Sequence, residues 1–144
     1  MQKDLSKLTA ALLAAAKKNG ADAADAIAVT GTSVSIDVRA GALEHAERSE
    51  GVDIGLRVLV GKKQACVSAS DVRDETIQTI AERAVAMAQF SPDDPYVGLA
   101  DAADLATDRD ASSLEMFDPQ DEPAAEELEE DARRAEAAAL ALEG

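Results

Sequence analysis

The chain begins with apolar residues spaced three or four positions apart, as on one face of a helix. Between residues 4 and 18 this face carries Leu5, Leu8, Leu12 and Ala15. Lysines fill the last predicted turn, where a positive charge suits the exposed carbonyl groups, and Asn19-Gly20 follows as a stop. The spacing therefore predicts a first helix that ends near residue 18.

Strict alternation of apolar and polar residues, which is typical of strands, then replaces the helical spacing. A run over residues 27–38 is followed by a turn at 39–42 and by a more polar run over 43–49. The segment 49–71 supplies a third and a fourth run on either side of Gly61-Lys62-Lys63. In the third run, one face carries Val52, Ile54, Leu56, Val58 and Val60. Because all the connections are short, we predict a four-stranded antiparallel meander.

Helical spacing returns after the strands, with an apolar face made by Ile77, Ile80, Ala81, Ala84, Val85 and Ala88. Asp71 or Asp74 is the predicted N-cap, and Pro92 stops this helix. Residues 91–120 are rich in Pro, Asp and Gly, which predicts an extended wrap. Its predicted anchors are Leu99, Leu105, Leu114, Met116 and Phe117. A final helix begins at Pro123.

The order of helix, four strands, helix, wrap and helix defines an α+β fold in which the helices cover one face of the sheet. We predict an N-terminal α+β domain over residues 1–120 and the start of a further helix over 121–144. That last helix is still apolar where the sequence stops. We therefore expect it to be truncated before a C-terminal domain.

Composition narrows the kinds of core and partner that this chain can have. Apolar residues make up 47% of the chain but aromatic residues only 2%, so the core must consist of Leu, Ile, Val and Ala. The formal net charge is -15, from 29 acidic and 14 basic residues. Such a surface repels phosphate, which argues against direct nucleic-acid binding. No apolar run approaches the roughly 20 residues that span a membrane, so we expect a cytoplasmic protein with no membrane contact.

Side chains suited to catalysis are scarce. The chain has one histidine and one cysteine, whereas a zinc site takes three or four ligands. His45 lies between Glu44 and Glu47 on a polar strand and is interpreted as a solvated residue. Cys66 lies in a strand pattern and is interpreted as a small buried or half-buried side chain. We therefore predict no catalytic, cofactor-binding or metal-binding residue in this segment.

The predicted sheet has open edges, and two interpretations of them stay open. An edge must be paired, covered or charged, and the acidic wrap could cover it. Alternatively, an edge accepts an extended peptide as an added strand, with main-chain hydrogen bonds supplying the affinity.

Five short motifs occur in order along the chain. Gly20-Ala21-Asp22 ends the first helix, 32–44 is of the type xSVSxRxGxxE with two additional residues before its arginine, and 53–61 fits GxGxRVxxG with aspartate in place of its first glycine. Residues 91–101 fit SPxDPxxGLAD, the most specific of the five, and 114–119 read LEMFDP. Together these motifs resemble the N-terminal domain of the TldD/PmbA family, also called the modulator of DNA gyrase family. The details are more similar to its PmbA (TldE) subunit than to its TldD subunit.

The resemblance implies a longer, two-domain subunit of a cytoplasmic metallopeptidase built from a TldD and a PmbA partner. In that family a His-Glu-x-x-x-His helix and a further cysteine of the TldD subunit hold the metal. This sequence has no match to that helix, so the resemblance transfers no catalytic residue and places zinc in a TldD-like partner. It also implies substrates that are short or unfolded peptides.

We expect a non-catalytic N-terminal domain of a PmbA/TldE-like subunit, which serves subunit assembly and guides extended peptides. Its expected partner is a TldD-like catalytic subunit or a second copy of itself. The alternative is a free-standing acidic protein-interaction module with no peptidase role. A third hypothesis is that a His-Glu-x-x-x-His helix follows in the natural protein, which would make this the domain of a catalytic subunit.

Overall fold

The computed structural model describes residues 4–108, 110–116 and 118–142. Three helices and three strands follow one another as α1 (Leu5–Lys18), β1 (Ala23–Arg39), β2 (Ala42–Val60), β3 (Lys63–Ala69), α2 (Asp74–Phe90) and α3 (Ala125–Leu140). Two short 3₁₀ segments, Ala102–Asp104 and Ser112–Leu114, lie between α2 and α3. The strands form one sheet in the order β1-β2-β3. Both connections between them are two-residue turns, which join antiparallel neighbours.

The α+β class and the antiparallel sheet agree with the sequence, but the prediction of four strands is wrong. The predicted second and third strands are one strand, β2, which runs without a break through Glu50-Gly51. Gly51 is not among the glycines with positive φ. A glycine permits a turn but does not require one, and the residues on both sides of Gly51 favour extended backbone.

The turn predicted at 39–42 is confirmed. Ala40 and Gly41 have φ of 51° and 73°, and positive φ at both central residues gives a turn whose twist matches that of the flanking strands. The β2–β3 turn contains Gly61, with φ of 60°. Asp22 holds that turn, because its Oδ2 accepts the backbone N–H of Gly61 at 2.7 Å.

The chain divides into two compact units. Unit 1 consists of the residues up to Gly31 together with Gly51–Leu105, and unit 2 consists of Thr32–Glu50 together with the residues from Ala106 onward. The strands β1 and β2 contribute to both units.

Unit 1 contains the hydrophobic core, which α1 and α2 form with one face of the sheet. The alternation predicted for the third run is confirmed, since Ile54, Leu56 and Val58 all point into this core. The helices contribute Leu12, Ala15, Ala16, Ile77, Ile80, Ala81, Ala84, Val85 and Ala88. From β1, the small residues Ala24, Ala26 and Ala28 pack against the core.

Unit 2 contains the end of the β1–β2 hairpin and α3. Among its described residues none is buried, and the most protected are half-buried side chains such as Val34, Ile36 and Leu128. The predicted anchors of the wrap are wrong for Leu99, Leu105, Leu114 and Met116, which are exposed, and Phe117 lies outside the described residues. The start of the wrap is held in unit 1 instead, where Val97 is buried and the N–H of Asp94 donates to the carbonyl of Lys62 at 2.7 Å.

The start of α2 differs in detail from the prediction. The N-cap position is Arg73 and not one of the two predicted aspartates. Asp71 lies two residues before the N-cap and stabilises the start of the helix through its side chain. The Asp71 carboxylate accepts the guanidinium and the backbone N–H of Arg73 and the hydroxyl of Thr76. These hydrogen bonds, chiefly that from the Arg73 side chain, hold the pKa of Asp71 well below its usual range.

The one-sided core predicts that two isoleucines of the same sheet differ greatly in their contribution to the free energy of unfolding. Ile54→Ala removes a side chain that is 1% exposed and should lower the free energy of unfolding by about 2–5 kcal/mol. Ile27→Ala removes a side chain that is 62% exposed on the opposite face and should cost less than about 1 kcal/mol. Urea unfolding followed by circular dichroism measures both values, and equal costs would contradict the one-sided core.

The Asp71 contacts predict a dependence of stability on pH. Because the pKa of Asp71 is lowered on folding, its contacts stabilise the fold above the ordinary carboxyl pKa, and this contribution disappears as the pH falls through the folded-state value. Asp71→Asn should therefore lower the melting temperature at neutral pH, and its difference from wild type should shrink towards pH ~2. Asp93→Asn, at an exposed aspartate of the same unit, is the control. A difference for Asp71→Asn that does not vary with pH would refute the assignment.

Candidate functional site

The face of the unit 1 sheet opposite the helices is open and partly apolar. Ile27 and Val29 of β1 point out from this face and are 62% and 50% exposed. A groove of about 540 Å³ runs over all three strands, and its walls include Ile27, Gly55 and Cys66. Adjacent exposed apolar side chains are typical of a surface that contacts another molecule. We therefore take this open face as the candidate site.

A pair of opposite charges fixes one side of the groove. Arg57 of β2 donates from Nε to Oδ1 of Asp25 on β1 at 3.0 Å, and its Nη2 donates to the other carboxylate oxygen. This hydrogen bonding raises the pKa of Arg57. Both side chains are partly exposed, so the pair contributes about 0–1 kcal/mol to stability. Its main effect is to orient the guanidinium along the wall of the groove.

A close contact fixes the apolar part of the groove. A Cβ atom added to Gly55 would lie 2.9 Å from Cγ2 of Ile27. The Ile27 side chain therefore lies directly over Gly55, and a larger residue at position 55 would push it outward. The absence of a side chain at Gly55 thus determines where the apolar surface of Ile27 is held.

The first position of the GxGxRVxxG motif, where glycine is expected, makes a side-chain hydrogen bond instead. Asp53 occupies it, and its Oδ1 accepts the hydroxyl of Ser70 at 2.6 Å. This contact joins β2 to the chain just after β3.

His45 is exposed, in agreement with the interpretation as a solvated residue. It lies on the unit 2 part of β2, where its Nε2 is 3.3 Å from Oε2 of Glu47. Glu44 instead pairs with Arg39 at 2.8 Å. One imidazole and one carboxylate, both more than half exposed, provide too few ligands to hold zinc.

The interpretation of Cys66 as a buried or half-buried side chain is wrong. Cys66 is exposed on the open face of unit 1. Its partner in the β2–β3 register is Arg57, and paired residues of an antiparallel sheet point to the same face. Since Arg57 points outward, Cys66 does as well.

The described residues do not fit a metal ion. Over 4–108, 110–116 and 118–142, no group of three or more His, Cys, Asp or Glu side chains is placed to hold one. Within the same residues, no helix combines the length and the hydropathy needed to cross a membrane.

The sequence did not nominate Asp25, Ile27, Gly55 or Arg57 as site residues. A signal was present, since Asp25 lies just before the first alternating run and Arg57, of opposite charge, lies in the third. Recognising it requires the register between β1 and β2, which alternation along a single strand does not supply.

Comparison with known proteins identifies the fold and the family. Residues 24–88 match the family described as PmbA/TldA metallopeptidase domain 1. The chain is 33% identical over 132 residues to Metalloprotease PmbA of Escherichia coli O157:H7, which covers 92% of this chain and 28% of that protein. It is 33% identical over 103 residues to a Metalloprotease PmbA homolog of Haemophilus influenzae. This match covers 71% of this chain and 22% of that protein. The chain thus spans about a quarter of the length of these relatives.

Two solved structures share the fold. A protein named as a modulator of DNA gyrase from Bacteroides thetaiotaomicron superposes with a TM-score of 0.66 and 17% identity, covering 72% of this chain and 23% of that one. TldE from Thermococcus kodakarensis superposes with a TM-score of 0.59 and 17% identity, covering 65% of this chain and 21% of that one. At this identity the likeness concerns the fold alone.

The contact between Gly55 and Ile27 predicts a specific coupling. Gly55→Ala should lower the free energy of unfolding by about 1–3 kcal/mol, because the new methyl group overlaps Ile27. The cost should fall when Ile27→Ala is also present. Gly51→Ala is the matched control, because a Cβ at this position of the same strand meets nothing within 4 Å. Chemical unfolding of the four variants measures the coupling, and an unchanged cost in the Ile27→Ala background would contradict it.

Proposed function

Because this chain contains an N-terminal domain of the TldD/PmbA family, we propose that it is the non-catalytic N-terminal domain of a PmbA/TldE-like subunit. Its role is to assemble with a catalytic subunit and to guide extended peptides towards it. The sequence likeness to proteins named Metalloprotease PmbA supports the PmbA-like assignment.

In this proposal the zinc ion belongs to a TldD-like partner subunit. One histidine and one cysteine in the whole sequence support this division, since a zinc site takes three or four ligands. His45 and Cys66 also lie on different strands, and each is exposed. The assembly acts in the cytoplasm and contains either the TldD-like subunit or further copies of this chain.

The open face of unit 1 is the observation that carries the peptide-guiding role. The strand β1 is at one edge of the sheet, and an extended peptide can pair with an edge through main-chain hydrogen bonds. Ile27 and Val29 project from the same strand and offer apolar contacts to alternate side chains of such a peptide. The net charge of -15 favours basic over acidic peptides.

Peptide binding tests the role of the open face. A fluorescent, unstructured peptide of about twelve residues, with alternating apolar and basic positions, should bind the wild-type chain in an anisotropy titration. Ile27→Asp should weaken binding about tenfold or more, because it replaces an apolar contact by a charge. Leu43→Asp, at an exposed apolar residue of unit 2, should leave it unchanged. Equal affinities of the two variants would refute the site.

Two further measurements test the division of labour. The chain alone should not cleave the peptide with or without added zinc, and it should co-elute with a TldD-like subunit from the same organism. Zinc-dependent cleavage by the chain alone would overturn the non-catalytic assignment. Failure to co-elute, with peptide binding retained, would favour a free-standing interaction module.

A further inference from the structure

The turn of the β1–β2 hairpin holds a carboxylate. The backbone N–H groups of Ala40 and Gly41 both donate to Glu136 of α3, one to Oε1 and the other to Oε2, each at 2.7 Å. All three residues belong to unit 2. Two short bonds to the two oxygens of one carboxylate form a bidentate contact, the geometry in which charge-assisted hydrogen bonds are strongest.

The conformation of the turn explains why it attracts an anion. Ala40 and Gly41 lie between the ends of the two strands, so their N–H groups are free of the ladder and point away from it. Their positive φ values direct two successive N–H groups towards one point, and successive amides in a turn form a concave site for anions. Arg39 precedes the turn and adds a positive charge beside it, although Glu44 already pairs with this arginine at 2.8 Å.

A second polar contact holds the chain segment that leads into α3. Arg48 of β2 donates to Glu122, three residues before α3 begins, and also to Glu50. A partly apolar groove lies beside this second contact, and its walls include Val34, Ile36 and Ala125. No described side chain of α3 is buried. Since α3 contributes only half-buried side chains, the polar contacts before its start and near its end help to hold it in place.

We propose that the Ala40-Gly41 turn is a carboxylate-binding site which Glu136 occupies from within the chain. In this arrangement α3 is a detachable strap, and a carboxylate from another molecule can take the place of Glu136. The internal carboxylate competes at a high effective concentration, since it is attached to the same chain. The site is therefore closed to weak ligands while α3 is docked and becomes available when α3 is released. It is independent of the function proposed above, because neither a peptidase partner nor the open face of unit 1 contributes to it.

Removal of the Glu136 carboxylate tests the strap. In Glu136→Ala, the amides of Ala40 and Gly41 should exchange hydrogen about tenfold faster than in the wild type, as measured by NMR. Amides across α3 should lose protection as well, because the helix is then held at one end only. Glu136→Gln keeps the shape of the side chain and one acceptor oxygen. Its exchange rates should therefore fall between those of the wild type and those of Glu136→Ala. Glu130→Ala, at an exposed glutamate of the same helix, is the control and should match the wild type.

Addition of acetate tests the binding site itself. At constant ionic strength, acetate should shift the amide signals of Ala40 and Gly41 saturably in Glu136→Ala, and should not shift them in the wild type. A peptide with a free C-terminal carboxylate should compete with acetate, whereas the same peptide with an amidated C-terminus should not. Comparison of the two peptides distinguishes binding through the terminal carboxylate from binding through other parts of the peptide.

Any one of four results would overturn the proposal. Unchanged exchange at Ala40 and Gly41 in Glu136→Ala would show that the contact does not hold α3. A non-saturable acetate response, or an equal response to chloride, would show that the turn is not a carboxylate site. If Glu136→Ala loses the structure of the hairpin, the same titration on Glu136→Gln decides, and a saturable response equal in the wild type and Glu136→Gln would also contradict the proposal.

Discussion

The core of unit 1 depends on alanine as much as on larger aliphatic side chains, which α1 and α2 pack against one face of the sheet. Ala16, Ala81, Ala84 and Ala88 have no exposed surface, and the distance between packed elements depends on the size of the side chains at the contact. The two aromatic residues that the structure describes, Phe90 and Tyr96, do not contribute, since they are 90% and 94% exposed. The core therefore consists of alanine and branched aliphatic residues. Such a core covers one face of the sheet and leaves the other face free for contacts with other molecules.

Local spacing explains which parts of the fold the sequence could predict. The helices α1 and α2, the turn at 39–42 and the inward face of β2 follow from local spacing and from a few glycines, and the structure has them where expected. The length of β2 could not be derived in this way. A single glycine within two alternating runs is compatible both with a turn and with a continuous strand, and the choice depends on pairing with β1 and β3 rather than on residues near Gly51.

The candidate site was missed for a related reason. Ranking by hydrophobicity would place Ile27 and Val29 in the core, but the space beneath the helices fits Ala24, Ala26 and Ala28. The larger side chains of β1 therefore face outward, where Ile27 lies over Gly55. The face of a strand that is buried depends on the volume available as well as on hydrophobicity. Asp25 and Arg57 are 32 residues apart in sequence, and only the pairing of two strands brings them together.

Units 1 and 2 differ in the contacts that stabilise them. This difference determines which part of the chain can open at low cost and which cannot. Opening unit 1 would expose its whole core, whereas opening unit 2 exposes only half-buried side chains and breaks a small set of polar contacts. The four described arginines of unit 2 are already paired, with Glu44, Glu122, Glu129 and Asp131. Many other carboxylates of this unit have no positive partner among the described residues, so their mutual repulsion opposes the docked state of α3 and weakens as salt is added. Against that repulsion, a carboxylate held by two backbone amides has an advantage over another ion pair, since it needs none of the four described arginines, which are already paired.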